Sequence, residues 1–220
     1  MSKPNLDNWF ACKEGESVLV NGKPCRTRVV ACGDLKVSSG RLLVCDPLAI
    51  FPDNNPFLLV PSGNFPVFVT LIDISKKQNL VAYASIVFEK TQESYRKWIP
   101  LAHADDDRKE LEGDEQGNVG VDNALACFID ESSLKKCMPP LQAWGEVFND
   151  EPNGWLPQLE NSTNIQPSMA NVILPKAKKG ENVVLFRSGV GDGNFPLVGS
   201  FKADDKITAV HIDFVSASKS

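Results

Sequence analysis

Ser62-Gly63-Asn64-Phe65-Pro66-Val67 returns later in the chain as Asp192-Gly193-Asn194-Phe195-Pro196-Leu197, and similar blocks flank both copies. An apolar run precedes each, Phe57-Leu58-Leu59-Val60 in one case and Val183-Val184-Leu185-Phe186 in the other. After each copy comes an alternating strand, then a polar turn (Ser75-Lys76-Lys77-Gln78-Asn79; Ala203-Asp204-Asp205-Lys206). A second apolar strand closes each block, Leu80 to Phe88 and Ile207 to Val215. Self-similarity of this kind marks one supersecondary unit used twice, read here as a three-stranded meander.

Working outward, Val18, Val20 and Arg28 to Ala31 lie in β-rich alternation around Asn21-Gly22, a two-residue hairpin signal. Arg41 to Cys45 reads as a short strand ended by Asp46-Pro47, since proline restricts the residue before it and offers no ladder donor. Tyr95, Trp98 and Leu101, spaced i, i+3, i+6, predict a helix over 91–104 capped by Thr91 or Ser94. Val119 to Ile129 reads as a strand with a turn near Asn123-Ala124. Residues 131 to 150 read as two helical pieces broken at Pro139-Pro140, and 153 to 167 as a loop. The expected fold is α+β in a single domain over 1–220. Two related meanders form a mainly antiparallel sandwich or partly open barrel, with a helical insertion at about 91–150 between them.

Composition narrows the function classes. With a net charge of −5 and a pI near 5.1, the chain lacks the clustered Lys and Arg of a nucleic-acid surface. The Lys176, Lys178, Lys179 cluster reads as a solvated turn. The first residues, Met1 to Asp7, hold no apolar signal-peptide core, and no stretch has the length of a membrane span, so the expected place is the cytoplasm. In that reducing compartment the six cysteines (Cys12, Cys25, Cys32, Cys45, Cys127, Cys137) are expected as free, mostly buried thiols. None forms a C-x-x-C, so neither a metal site nor a cofactor is expected.

Ser39-Gly40, Asp46-Pro47 and Pro61 to Pro66 run in order with Gly120-Val121-Asp122 and Cys127-Phe128-Ile129-Asp130. Ser188-Gly189-Val190-Gly191-Asp192-Gly193-Asn194-Phe195-Pro196 and His211-Ile212-Asp213-Phe214 complete the series. In these blocks the chain resembles a bacterial family, domain of unknown function 4241. The resemblance implies a fold but no established reaction. Asn123-Ala124-Leu125-Ala126 stands where the family carries a Gly-rich stretch, and Val190 where it carries an aromatic residue.

Several constellations could carry chemistry. Ser188, Gly189, Gly191, Asp192 and Gly193 could form an anion-binding nest of converging N–H groups. The block lacks the Lys-Ser/Thr of a P-loop and no helix follows, so the reading favours a structural turn. Asp46, Asp122, Asp130, Asp192 and Asp213 could gather as a hard-metal site or an acid–base pair, or could each cap a turn. His211 shares a strand face with Asp213, and with Ser188 it would give a Ser/His/Asp set, though no nucleophile elbow surrounds Ser188. Cys127 with His103 or His211 is a conceivable thiol–imidazole pair.

Two functions are carried forward. The favoured one is a non-catalytic cytoplasmic binding protein, of the kind immunity proteins represent, that occludes a basic toxin domain. Its acidic loop (Asp105, Asp106, Asp107, Glu110, Glu112, Asp114, Glu115) is the expected contact, with neither nucleic acid nor membrane as partner. The alternative is a small hydrolase or metal-dependent enzyme, which would bring Asp122, Asp130, Asp192 and His211 into one pocket.

Overall fold

The computed structural model describes residues 9–102, 117–149, 154–161, 164–189 and 191–215. A curled sheet is built, in spatial order, from β1 (Ser17–Val20), β2 (Lys23–Val37), β5 (Gly63–Ser75), β6 (Gln78–Val87), β13 (Ile207–Asp213), β12 (Gly193–Phe201) and β7 (Tyr95–Trp98). β8 (Asn118–Val121) extends the β12 edge. A second sheet runs β10 (Met169–Ile173), β11 (Asn182–Arg187), β9 (Leu125–Asp130), β3 (Arg41–Cys45), β4 (Leu58–Leu59). Every pairing in both sheets is antiparallel.

The two sheets pack face to face over a core that includes Val67, Leu71, Ile86, Phe195, Leu197 and Ile212 from one and Leu42, Val44, Phe128, Val184 and Phe186 from the other. On the outer face of the second sheet lie α1 (Glu131–Cys137), α2 (Trp144–Phe148) and α3 (Trp155–Glu160). Leu134, Trp144, Trp155 and Leu159 close a second core there over Cys127, Ile129 and Leu185. Because β9 is covered on both faces, all six of its residues are buried, which is why it reads as an unbroken apolar run. The outer face of the curled sheet is covered by Trp9, Phe10 and Ala11, packed on Tyr83 and Ile72. No described helix is long and apolar enough to cross a membrane.

The repeat is exact in register. β5 pairs β6 through Val67–Ile86, Phe68–Ser85, Val69–Ala84 and Thr70–Tyr83. β12 pairs β13 through Leu197–Ile212, Val198–His211, Gly199–Val210 and Ser200–Ala209. Each ladder then slips at the same place, between Thr70 and Leu71 and between Ser200 and Phe201, and resumes at Leu71–Val81 and Phe201–Ile207. In both copies the Phe ring folds back over the glycine two residues earlier. A Cβ at Gly63 would meet the Phe65 ring at 2.7 Å, too close without moving the ring, and one at Gly193 would press the Phe195 ring at 3.2 Å, so the position favours a bare Cα. Each ring then meets an equivalent partner edge-on, Phe65 on Phe88 at 5.0 Å and Phe195 on Phe214 at 4.8 Å. The two hairpins join back to back through β6 and β13, where His211 lies directly opposite Ser85. An approximate two-fold axis therefore passes through the His211–Ser85 pair.

Three expectations change. The unit is a hairpin plus a strand of the facing sheet, not a meander: β4 and β11 leave the curled sheet and pair β3 and β9. The described part of the predicted helix over 91–104, residues 91–102, holds no helix. Tyr95–Trp98 is the edge strand β7, paired with β12, and its true period is two. Tyr95 stacks on Phe201 at 5.2 Å and Lys97 lies 4.9 Å over the same ring, while Arg96 points the other way, over Trp9. Among the described residues of the insertion, the helices are α1, a short 3-10 turn at Leu141–Ala143 and α2. Within the span read as loop, Trp155–Glu160 is helical, anchored by the buried Trp155 and Leu159. At the Asn21-Gly22 turn both φ angles are positive (51° and 75°), the conformation a tight hairpin turn asks for.

Candidate functional site

The aspartate blocks meet at the crossing from β8 to β9, where the chain passes between the sheets at Asp122–Ala124. Asp46, almost wholly buried, caps the turn at Pro47–Ala49 by accepting from Leu48 N at 2.8 Å. Its other oxygen accepts from Asp122 N at 3.0 Å and Asn123 N at 3.2 Å. From the opposite side Asp192 Oδ1 accepts from Ala124 N at 2.8 Å, and Ser188 N donates to Ala124 O at 2.9 Å. Ala124 sits at φ 51°, a left-handed position that suits glycine better and that these two bonds hold in place. Ser188 Oγ turns inward to the Gly191 carbonyl. Gly191 has φ 91°, and Gly189 is pressed on β6 so closely that a Cβ would lie 2.0 Å from Val81 O. Gly193 opens β12. The block from Ser188 to Gly193 thus clamps a turn with backbone and carboxylate together.

Asp130 lies at the far end of β9. It caps α1 through Ser133 N (2.9 Å) and ties Ser39 through N (2.9 Å) and Oγ (2.5 Å). Asp213 Oδ1 accepts from Val215 N at 2.9 Å. Asp122 shares the crossing with Asp46 and Asp192, Asp130 stands apart from them, and His211 lies on the outer face of the curled sheet. The four residues of the enzymatic alternative therefore do not enclose one pocket. Among the described residues no three His, Cys, Asp or Glu side chains are grouped to hold a metal ion.

His211 is the centre of a buried polar chain. Nδ1 lies 2.8 Å from Ser85 Oγ and Nε2 lies 3.0 Å from Ser200 Oγ. Ser200 donates to Glu93 Oε2 at 2.5 Å, and Arg96 Nε donates to the same oxygen at 2.8 Å. Since Ser200 gives its proton to Glu93, it accepts from Nε2–H, and Nδ1 accepts from Ser85. Cys12 N donates to Thr70 Oγ1 at 2.9 Å, which fixes the cover segment to β5. Trp9 closes the chain from solvent, its ring 5.2 Å from the imidazole and 4.6 Å from Tyr83. Burial, with the Arg96 charge added, lowers the His211 pKa to about 3, so the ring is neutral. Burial first and Asp213 second push the Tyr83 phenol up, and burial raises the Cys12 thiol. No carboxylate touches the imidazole, and Ser188 bonds Gly191 instead, so the Ser188–His211–Asp213 set does not assemble. Cys127 faces the helices of the second sheet and is not a partner of His211, and His103 lies outside the described residues.

A cleft of about 440 Å³ opens where β2 meets β10 and the turn before β11, lined by Asp34, Lys36, Asn64, Asn171, Lys179 and Asn182. Two of its amides lace the sheets together. Asn171 Nδ2 donates to the Cys32 and Asp34 carbonyls at 3.0 and 3.1 Å, and Asn182 Nδ2 donates to Asp34 O at 2.8 Å. Lys36 Nζ pairs with Glu181 at 2.9 Å. That bond, with the amides of Lys178 and Lys179, holds Glu181 at a pKa of about 2.

Residues 35–212 match the family model described as protein of unknown function (DUF4241), which covers most of the chain. The chain belongs to this DUF4241 family. No match was found among curated proteins or among solved structures. The family match spans the Asp46, Asp122–Ala124 and Ser188–Gly193 crossing, both hairpins and His211. It leaves out Trp9–Cys12, the segment that seals His211, and β1.

The acidic residues proposed as a contact (Asp105, Asp106, Asp107, Glu110, Glu112, Asp114, Glu115) lie outside the described residues, but both flanks of the run are fixed. Phe57 and Ala102 exchange two backbone bonds of 2.8 Å. Gly117 O accepts from Leu197 N at 2.9 Å, and a Cβ on Gly117 would lie 2.1 Å from Ile99 O. Sequence reasoning missed Ser85, Ser200, Glu93 and the Trp9–Cys12 cover, none of which belongs to a local motif. The one available signal was apolarity at Trp9-Phe10-Ala11, in a segment otherwise polar.

Proposed function

We propose that this protein is a non-catalytic binding protein that acts in the cytoplasm by occluding a basic protein partner, as an immunity protein occludes a toxin domain. The observation that carries the reading is the use already made of the reactive side chains. Asp46, Asp130 and Asp192 accept backbone N–H groups, and His211 is enclosed between two serines beneath Trp9. Groups held this way organise backbone rather than meet a substrate. The described flanks of the acidic run are anchored: Ala102 pairs with Phe57, two residues before Leu59, which is 69 % exposed, and Gly117 bonds Leu197 of β12. A run of negative charge suits a basic partner.

The partner is to be sought by pull-down from cells carrying the neighbouring gene. Association should weaken with salt, because exposed charges are screened over about 10 Å at 0.1 M. Reversing Asp105, Asp106 and Asp107 to Lys should slow association about tenfold while leaving the unfolding transition unchanged. Unchanged association kinetics would remove this run from the interface. Turnover of a substrate that depends on Asp122 and Asp192 would establish the enzymatic alternative instead.

A further inference from the structure

Cys45 and Cys127 are direct partners across the antiparallel strands β3 and β9, and their sulfurs stand 3.9 Å apart. No other pair of thiols comes within hydrogen-bonding reach among the described residues, and none of the six is in a disulfide. Partners directly opposed in an antiparallel ladder have Cα atoms about 4.5–5.5 Å apart. That lies inside the range of about 4.4–6.8 Å that a disulfide spans. Bringing the sulfurs to about 2.05 Å therefore needs side-chain rotation rather than movement of the strands. The pair is also asymmetric: Cys127 is fully buried and Cys45 is half-buried, at the end of its strand.

We propose that Cys45 and Cys127 form an oxidisable dithiol that closes to a cross-strand disulfide when a hydroperoxide reaches Cys45. In the first step the Cys45 thiolate attacks one peroxide oxygen and the O–O bond breaks. The departing oxygen takes up the thiol's proton and leaves as water or alcohol, and Cys45 becomes a sulfenic acid. The Cys127 sulfur then attacks the Cys45 sulfur, the S–O bond breaks, and the released hydroxide leaves as water with the Cys127 proton. Two electrons pass from the two thiols to the peroxide. Burial, reinforced by Cys45 and Asp46, raises the Cys127 thiol well above its ordinary pKa. Fully buried and held protonated, Cys127 does not meet the oxidant first, and it gives up its proton only as it attacks the sulfenic acid formed beside it. Cys45 immediately precedes Asp46, and β9 follows the Asp122–Ala124 turn that Asp46 holds. The new bond would staple together the two elements that the carboxylate already joins.

The test is oxidation of the folded full-length chain with hydrogen peroxide, then alkylation in denaturant and non-reducing peptide mapping. Free thiols should fall from six to four with a mass loss of about 2 Da, and the linked peptides should be those of Cys45 and Cys127. The melting temperature should rise by about 5–10 °C and return on reduction, since the bond closes a long loop. In Cys127→Ser, oxidation should leave Cys45 as sulfenic and then sulfinic acid, the latter a gain of about 32 Da, with no link to another cysteine. The proposal fails if mapping of the unmutated chain finds a different linked pair. It also fails if six thiols survive an excess of peroxide that oxidises a free thiol, or if Cys45 proceeds to sulfinic acid with Cys127 intact.

Discussion

The two hairpins share one register and one bulge, yet the first leaves its motif half open and the second buries it. Phe65 is partly exposed, whereas Phe195 is sealed between the sheets together with Phe214 and Phe186. The neighbours explain the difference. β5 lies against the long strand β2, which bulges at Ala31–Asp34 opposite Pro66. β12 lies against two short strands, β8 beside the motif and β7 beyond it, and packs deeper in the sandwich. The same divergence occurs on the outer face. Ser85 and His211 occupy equivalent places, as do Thr70 and Ser200, but only the second copy carries an imidazole and so a group that titrates. Duplication fixed the backbone, and burial assigned the copies different roles.

The sharpest way to break this comparison is to truncate both phenylalanines. Phe195→Ala should cost about 3–5 kcal/mol, as expected for a buried aromatic that leaves a cavity. Phe65→Ala should cost about 1–2 kcal/mol, because the site is partly solvated already. Denaturant unfolding reads both, and equal losses would show that the copies are energetically alike.

Next in size is the effect of acid. His211 titrates near 3 in the folded chain and near 6.5 when unfolded, so the unfolded state takes up its proton first as pH falls. This contribution is fully present above pH 6.5 and is lost as pH falls towards 3, at about 1.4 kcal/mol per pH unit, or about 2 kcal/mol by pH 5. His211→Ser, which makes the second copy like the first, should remove this part of the slope. A slope that persists unchanged between pH 6.5 and 5 would place the acid sensitivity elsewhere.

The smallest difference lies at the residue before each repeated glycine, Ser62 in one copy and Asp192 in the other. Asp192 holds the Ala124 amide, so Asp192→Ser should cost about 1 kcal/mol. Ser62→Asp should change stability by less than about 0.5 kcal/mol. A loss at Asp192 no larger than that at Ser62 would remove the turn clamp from the list of differences.

The repeat was legible in the sequence because the same four residues open both strands, with glycine first and the Phe ring folded back over it, and Asn and Pro inside the strand. Where the third strand of each unit went was not legible. Phe57–Val60 and Val183–Phe186 are short apolar runs that fit either sheet, and tertiary packing sent them to the far one. The strand at Tyr95–Trp98 was misread because two aromatics three apart satisfy a helical stripe, although here they lie on opposite faces of a strand beside β12. At the crossing, Asp46, Asp122 and Asp192 were visible as blocks, and the turn-holding bonds of the Asp46 and Asp192 carboxylates follow from ordinary aspartate chemistry. The His211 chain was not visible. Ser200 meets His211 only through the register of its hairpin, and Glu93 joins them only when its segment, far away in sequence, packs beside β12.

The back-to-back joint of β6 and β13 also bears on how the chain reaches its fold. Each hairpin closes between near neighbours, but partners such as Ile86 and Val210 stand well over a hundred residues apart. Loop closure over that span is entropically slow, so both hairpins can form before they meet. During synthesis β6 would wait with an unpaired apolar edge until nearly the whole chain had emerged. That interval is when chaperones or self-association would compete with folding.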